Sequence, residues 1–315
     1  MNIRLISSLA ISLITVLPVS QSLADELIDL RLRLNDGDSY SCVMEMTQNV
    51  SQTIDGDRQT LKQRMKTAWT YNVTGVDDIG VCDIEMIYDS IRVVQDFGFH
   101  TTEYDSQNPP SYIEPAMKGY TVLAGSRLEM RIDSGGRVLG MSGAEELIDK
   151  MLAEMDLPDS PVKDRIVSSL RMQFGEQALS ESIAQLTSFY PPVPVKPGDT
   201  WSSEMTIETG FPMRIKNEYD LLAVDDGSAV IKVESMISSS ADSAGINMGF
   251  VNIRNEIAGT QSGTTEVDIT SGLPVRSKID MEFEGSVHVS GISDKEPRSW
   301  PIKADGSVVV TMEKK

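Results

Sequence analysis

Residues 190–201 read Tyr-Pro-Pro-Val-Pro-Val-Lys-Pro-Gly-Asp-Thr-Trp, and residues 37–40 read Gly-Asp-Ser-Tyr. The later Gly-Asp phrase restates the earlier one, and so does the sequence that follows each. Tyr71 stands five residues before Val76-Asp77-Asp78, and Tyr219 stands five before Val224-Asp225-Asp226. Glu129–Val138 then aligns without gaps on Glu266–Val275, with five of ten positions identical. Three landmarks in one order describe a diverged tandem repeat. The repeats are expected to cover 25–143 and 190–315, with 144–189 between them.

Both halves alternate apolar and polar residues, the pattern of half-buried strands. In 61–73 the odd positions hold Leu61, Met65, Trp69, Tyr71 and Val73; in 213–223 they hold Met213, Ile215, Tyr219, Leu221 and Ala223. A third such run covers 275–289. Turn pairs separate the runs at Asp55-Gly56, Gly135-Gly136, Asp226-Gly227 and Asp305-Gly306,. A two-residue turn at Asp55-Gly56 sets Met46 against Met65, Cys42 against Trp69, Val50 against Leu61 and Tyr40 against Tyr71. A three-residue loop centred on Gly210 sets Ile207 against Met213, Met205 against Ile215 and Trp201 against Tyr219. These are matched pairs for a shared face. In both halves the aromatic that ends the Gly-Asp phrase meets the equivalent tyrosine.

Residues 144–189 change period. Leu147, Ile148, Met151, Leu152 and Met155 recur at helical spacing,. A second helix is expected from Ser160 as N-cap with Pro161 at its first position, and it would stop at Gly175. A third is expected from Ser180 through Ile183 and Leu186. Each has one apolar stripe and needs an apolar surface to lie against. The predicted fold is α+β, mainly antiparallel β: one curved, half-barrel-like sheet from two diverged β-repeats, with an insert of two to three helices.

The ends and composition bound the setting. Residues 1–24 carry Arg4, an uncharged apolar run Leu5–Leu17, Pro18 and Ser22-Leu23-Ala24. This reads as a signal peptide cleaved after Ala24, with a run too short for the ~20 residues of a spanning helix. The chain is expected in the periplasm or outside the cell, with no transmembrane segment. A net charge of −19 argues against nucleic acid as a partner,. Cys42 and Cys82 are an even count, which suits a disulfide in an oxidising compartment,. The strand register opposes one. It separates them by about six residues, roughly 20 Å along a strand, whereas a bridge needs Cα atoms within about 7 Å.

The Tyr-Pro-x-x-Pro-Val-x-x-Gly-Asp-x-Trp phrase at 190–201, Gly-Asp-Ser-Tyr at 37–40 and Asp-Ser-Gly-Gly-Arg-Val at 133–138 resemble a family of secreted bacterial proteins catalogued only as a domain of unknown function. The resemblance covers nearly the whole mature chain and implies no activity. More loosely, long antiparallel strands curling around inserted helices are similar to the half-barrel of periplasmic lipoprotein carriers and of mycobacterial lipid-binding lipoproteins. That likeness concerns fold, which does not fix function.

Motifs for chemistry are missing. His100 and His288 lie in no zinc-ligand spacing, and there is no Gly-x-Ser-x-Gly elbow or phosphate-binding loop,. Asp77-Asp78 and Asp225-Asp226 fall at hairpin turns, where turn chemistry explains them. No catalytic residue, metal or cofactor is therefore assigned, and a non-enzymatic role is expected. What stands out is 17 methionines. Methionine fits irregular apolar surfaces and varied ligands. The candidate lining of an apolar site is Met44, Met46, Met65, Trp69, Met151, Met155, Met213, Tyr219 and Met281. The expected function is binding of an apolar small molecule or lipid between sheet and helices. The competing reading is a structural or protein-interaction module of the cell envelope whose core the same methionines fill.

Overall fold

The computed structural model describes residues 27–54, 56–157, 161–209, 212–239, 246–248, 251–291 and 297–315. The proposed signal segment, Asp55, the Ser160 cap and the Gly210 loop centre lie outside these residues.

The first half runs β1 (Ser39–Ile54), β2 (Asp57–Val76), β3 (Cys82–Asp96), β4 (Thr101–Asp105), a 3-10 segment (Pro115–Val122), β5 (Arg127–Ile132) and β6 (Val138–Ser142). Three helices follow: α1 (Ala144–Met155), α2 (Pro161–Phe174) and α3 (Glu176–Thr187). The second half runs β7 (Thr200–Ile207), β8 (Met213–Asp225), β9 (Ser228–Ser239), β10 (Ile246–Met248), β11 (Val251–Asp268), β12 (Pro274–Ser290) and β13 (Arg298–Lys314).

Among the described residues these thirteen strands form one open, curved antiparallel sheet, in the order β6-β5-β3-β2-β1-β13-β12-β11-β9-β8-β7. β4 pairs with β3 and β10 with β11, both off that path. The chain therefore starts in the middle of the sheet and meanders out to β6. It crosses through the helices to the opposite edge at β7 and meanders back until β13 lies beside β1. All the predicted cross-strand pairs occur, from Tyr40 with Tyr71 to Val50 with Leu61, and from Trp201 with Tyr219 to Ile207 with Met213.

The two Gly-Asp phrases make the same hydrogen bonds. Gly37 N donates to Val73 O (3.0 Å) and Gly198 N to Leu221 O (2.7 Å). Asp38 Oδ2 accepts from Asn35 N (3.2 Å), and Asp199 Oδ2 accepts from Lys196 N (2.9 Å). β-Bulges also coincide: between Val73 and Gly75 in β2 and between Leu221 and Ala223 in β8. A second matched pair falls between Arg131 and Ile132 and between Glu266 and Val267. Bulges place one extra residue on one strand, so their coincidence fixes the correspondence residue by residue.

That correspondence corrects the gapless alignment of the third landmark. Ile132 lies opposite Cys82, and Val267 opposite Ala229. Ile132 thus matches Val267, two residues from the Ile269 that the gapless alignment chose; the second turn is one residue longer, so that Val138 matches Pro274. Both turns pass through a glycine of positive φ, Gly136 (+79°) and Gly272 (+74°). A β-carbon would meet Thr187 Cβ at 2.6 Å in the first and Arg31 O at 2.0 Å in the second.

Three other expectations change. Asp305-Gly306 is not a turn; it lies inside β13, where Asn49 Nδ2 donates to Asp305 Oδ2 (2.7 Å). Gly306 is needed there because Thr47 O would lie 2.5 Å from its β-carbon. α3 starts at Glu176, four residues before Ser180, so that Gly175 is only a break between two helices. The N-terminal stretch carries structure that the repeat did not reveal. Leu30, Leu32 and Leu34 are buried. Ile28 bridges Val195 of the proline segment, while Leu32 N donates to Ser134 O (2.8 Å) and Arg33 N to Ser271 O (2.7 Å). The repeated Ser-Gly turns thus hold one strap between the halves.

Candidate ligand cleft

The core divides unevenly. The larger cluster fills the concave side of β1–β3 and β5 and extends to α1, the 3-10 segment and Leu170 of α2. A smaller one around Leu221, Ile231 and Val267 also holds Leu30, Phe189 and Val195. α3 bridges the two sheet edges. Thr187 Oγ1 donates to Gly136 O (2.6 Å) beside β6. From the middle of α3 the Glu181 carboxylate accepts from Glu208 N and Thr209 N, both at 3.2 Å, just past β7.

Beneath α2 and α3 lies a cleft of about 430 Å³. Its floor is β1 to β3, with Met44, Met46, Met65, Trp69, Met86 and Tyr88. Tyr71 and Ile91 extend the floor, and Tyr120 and Leu123 come from the 3-10 segment and its end. Its roof is Met172 and Phe174 of α2 with Leu179, Ile183 and Leu186 of α3. Ile207 and Thr209 close one side. Larger depressions of about 660 and 670 Å³ are open surfaces lined chiefly by Ser, Asn, Glu, Lys and Arg residues. They lack the apolar walls that hold a small molecule out of water.

The candidate lining residues separate. Met44, Met46, Met65 and Trp69 meet in this cleft. Tyr219 and Met281 line a second cavity of about 120 Å³ in the other half, which Leu186 also lines. Met151 is fully buried away from both, and Met155 Cε would lie 3.0 Å from a β-carbon on Gly119. α1 thus packs on the 3-10 segment, an element without a periodic signal in sequence, and its methionines are core. Met213 joins Ile207, Ile215 and Ile237 in a small separate cluster. Met86, Tyr88, Tyr120 and the α3 stripe were missed as lining. Met86 and Tyr88 continue the alternation of Cys82 and Ile84, and the α3 stripe is helical; Tyr120 had no periodic signal.

Polar side chains line the cleft as well: Gln63, Thr67, Gln173, Glu181, Ser182, Gln185 and Thr209. Trp69 is buried, and its ring meets Tyr71 and Tyr88 edge-on at 6.2 and 6.4 Å. Its Nε1 has no hydrogen-bond partner among the described residues, and neither does Thr209 Oγ1. The Trp69 indole bears on the Tyr71 phenol and partly opposes the rise that burial gives it. Burial pushes the Tyr88 phenol up to about 12 and raises Tyr71 and Tyr120 as well. All three phenols therefore stay protonated at neutral pH.

Cys42 and Cys82 are both free and buried. Cys42 faces Trp69 and Cys82 faces Val76, far apart along the same strand. Burial raises both thiols, Cys42 to about 12. No helix among the described residues is long and apolar enough to cross a membrane.

Several solved structures align weakly with this chain. Lipovitellin, in a structure described for its lipid–protein interactions, aligns at 10% identity and a TM-score of 0.41, over 89% of this chain and 25% of its own. This chain thus spans a quarter of the lipovitellin chain it matches. An outer-membrane channel from Pseudomonas putida F1 aligns at 8% identity and a TM-score of 0.25, over 90% of this chain and 97% of the channel. The translocator domain of the autotransporter NalP from Neisseria meningitidis aligns at 8% and 0.22, over 89% and 90%. No curated protein matches the sequence. Residues 80–274, which contain the second Gly-Asp phrase, both Ser-Gly turns and all three helices, match the model of a family of unknown function, and the chain belongs to that family, DUF6263.

Proposed function

We propose that this chain is a non-enzymatic, exported protein that holds a lipid-like apolar ligand between its curved sheet and helices α2 and α3. One observation carries the reading. Helices that could have filled the concave face leave a cleft of about 430 Å³ lined by Met44, Met46, Met65, Met86 and Met172. That volume falls in the range of small-molecule sites, roughly 300–1,000 Å³. Methionine walls adapt to irregular apolar shapes. Protonated tyrosine phenols supply hydrogen-bond donors rather than bases, which suits retention of a ligand better than its turnover.

The test is native mass spectrometry of the chain purified from its source, with displacement of a neutral fluorescent dye. A co-purified apolar molecule and dye displacement are expected; finding neither removes the proposal. N-terminal sequencing of the mature chain checks export, with Asp25 as the expected first residue. The competing reading, an envelope interaction module, draws on Phe97 and Phe99 at the β3–β4 tip. Their rings are 6.4 Å apart, and Phe99 is 92% exposed. A partner lost on Phe99→Ser, in a protein that binds no dye, would favour it.

A further inference from the structure

We infer that the cleft is the wide end of a channel that runs on beneath α3 into the second half, that its ligand is a long, flexible, single-chain lipid, and that Leu186 governs how far the chain reaches. This rests on the cleft being a ligand site, as proposed above.

The first observation is a shared wall. The cleft of about 430 Å³, the cavity of about 120 Å³ in the second half and a third of about 60 Å³ all lie against α3. The third is mostly apolar, with Leu32 and Leu34 of the N-terminal strap, Cys42 and Val310 among its walls. Leu186 is the one described residue that lines all three. It is only half-buried, although it belongs to the apolar stripe of α3 and packs on the larger core cluster. Its side chain therefore borders open space where a close-packed interior would give it contacts.

The second observation is a continuous floor. One row of directly paired residues crosses the sheet beneath α3. It runs from Met65 to Met46 and Val308, then to Ile279, Gly263 and Val233. Met65 and Met46 line the cleft, while Val308, Ile279 and Val233 line the second cavity. The row covers five strand spacings, roughly 24 Å, and Gly263 leaves a dip in its course. A compact ligand has no use for so long a floor; an extended chain does.

The second cavity also holds polar side chains, but they are already paired. Asn217 Nδ2 donates to Ser203 Oγ, Ser235 Oγ donates to Asn217 Oδ1, and the Tyr219 hydroxyl joins Ser188 and Ser203. Thr265 Oγ1 lies 3.0 Å from Ser277 Oγ. A hydrocarbon chain lying over them takes no partner from any of them. A leucine side chain moves between staggered rotamers, so Leu186 can turn aside for a methylene chain, whereas a rigid ring system would need α3 to lift.

The experiment uses the full chain with 13C-labelled methionine methyl groups, to which 1-octanol or 1-hexadecanol is added. Both alcohols should move the resonances of Met46 and Met65. Only hexadecanol should move those of Met205 and Met281, which line the second cavity. Displacement of Nile red measures the affinities. Each methylene taken into the channel strengthens binding about fourfold, so Leu186→Trp should cost hexadecanol roughly tenfold more affinity than it costs octanol. The methyl spectra come from the unmodified chain and do not depend on how the variant folds. Hexadecanol that binds and leaves Met205 and Met281 in place overturns the inference and leaves the cleft standing. An equal loss for both alcohols in a folded Leu186→Trp chain does the same. Dye that never binds, with Met46 and Met65 unmoved by either alcohol, overturns the site itself and this inference with it.

Discussion

Two rows of residues occupy the same place in the two halves and have opposite character. In the first half Cys42, Trp69 and Tyr88 face one another across β1, β2 and β3. In the second, Ser203, Asn217 and Ser235 do so across β7, β8 and β9. The second row is closed. Asn217 Nδ2 donates to Ser203 Oγ (3.1 Å), Ser235 Oγ donates to Asn217 Oδ1 (2.7 Å), and the Tyr219 hydroxyl joins Ser203 (3.3 Å) and Ser188 (2.8 Å). The first row is aromatic, has an extra bulge beside Trp69, and ends in an unpaired indole N–H. Of the two cavities with apolar walls the larger is on the aromatic side, while the polar row lines part of the open depression of about 670 Å³. One framework thus supports a self-satisfied polar row that fixes structure and an unsatisfied aromatic row available to something else.

Exchanging the characters of the rows tests this. Trp69→Ala has the largest expected effect, a loss of about 3–5 kcal/mol in urea unfolding, since it empties a buried aromatic site. A loss below ~1 kcal/mol would show that Trp69 is not part of the packed floor. Asn217→Ala should cost about 2–3 kcal/mol, because it strips the Ser203 and Ser235 hydroxyls of a buried partner. A negligible change would mean that the polar row is dispensable. Cys42→Ser gives the aromatic row the chemistry of Ser203 without its partners. It should cost about 1–2 kcal/mol, and a stabilised variant would contradict the claim that this row is dry.

The smallest effect separates the two Gly-Asp phrases. Asp38 alone has Lys314, whose Nζ lies 2.6 Å from Oδ1. The Lys314 ammonium, helped by Asn35 and Tyr40, lowers the Asp38 carboxyl from 3.8 to about 2. A folded-state value below the unfolded one stabilises fully above 3.8, and that contribution fades as pH falls towards 2. Lys314→Met should move the Asp38 midpoint in a carboxyl 13C titration back towards 3.8. Its stability deficit should shrink between pH 4 and pH 2, whereas a constant deficit would mean that Lys314 acts through packing on the Tyr40 ring.

The hairpins were legible because alternation and turn residues set register locally: once Gly56 is a turn, Met46 must face Met65. The helices were legible from their stripes. The third landmark was misplaced by two residues because its register is set by pairing with distant strands, which leaves no local trace. Met151 and Met155 are not among the cleft's lining residues, and the 3-10 segment that covers them has no periodicity to reveal it. Trp69 was legible as core but not as an orphan. Whether an indole finds a partner depends on Tyr71 and Tyr88, which reach it from its own strand and from β3. The strap Leu30–Leu34 was missed because three alternating leucines resemble any short strand, while its partners, the Ser134 and Ser271 carbonyls, lie a hundred or more residues away.

The junction of β1 with β13 has a consequence for how the chain folds. Ser41 meets Glu313 across 272 positions. Every other neighbouring pair of long strands joins segments consecutive or nearly so in the chain, and such local contacts form quickly. The central junction has to wait until β13 has been made. Two half-sheets should therefore assemble early, each with a bare middle strand able to pair with the wrong chain. Loss of β13 would leave the first half-sheet whole, the second one strand short, and the two unjoined. Fluorescent labels on the two halves should come together in a later kinetic phase than strand formation within either.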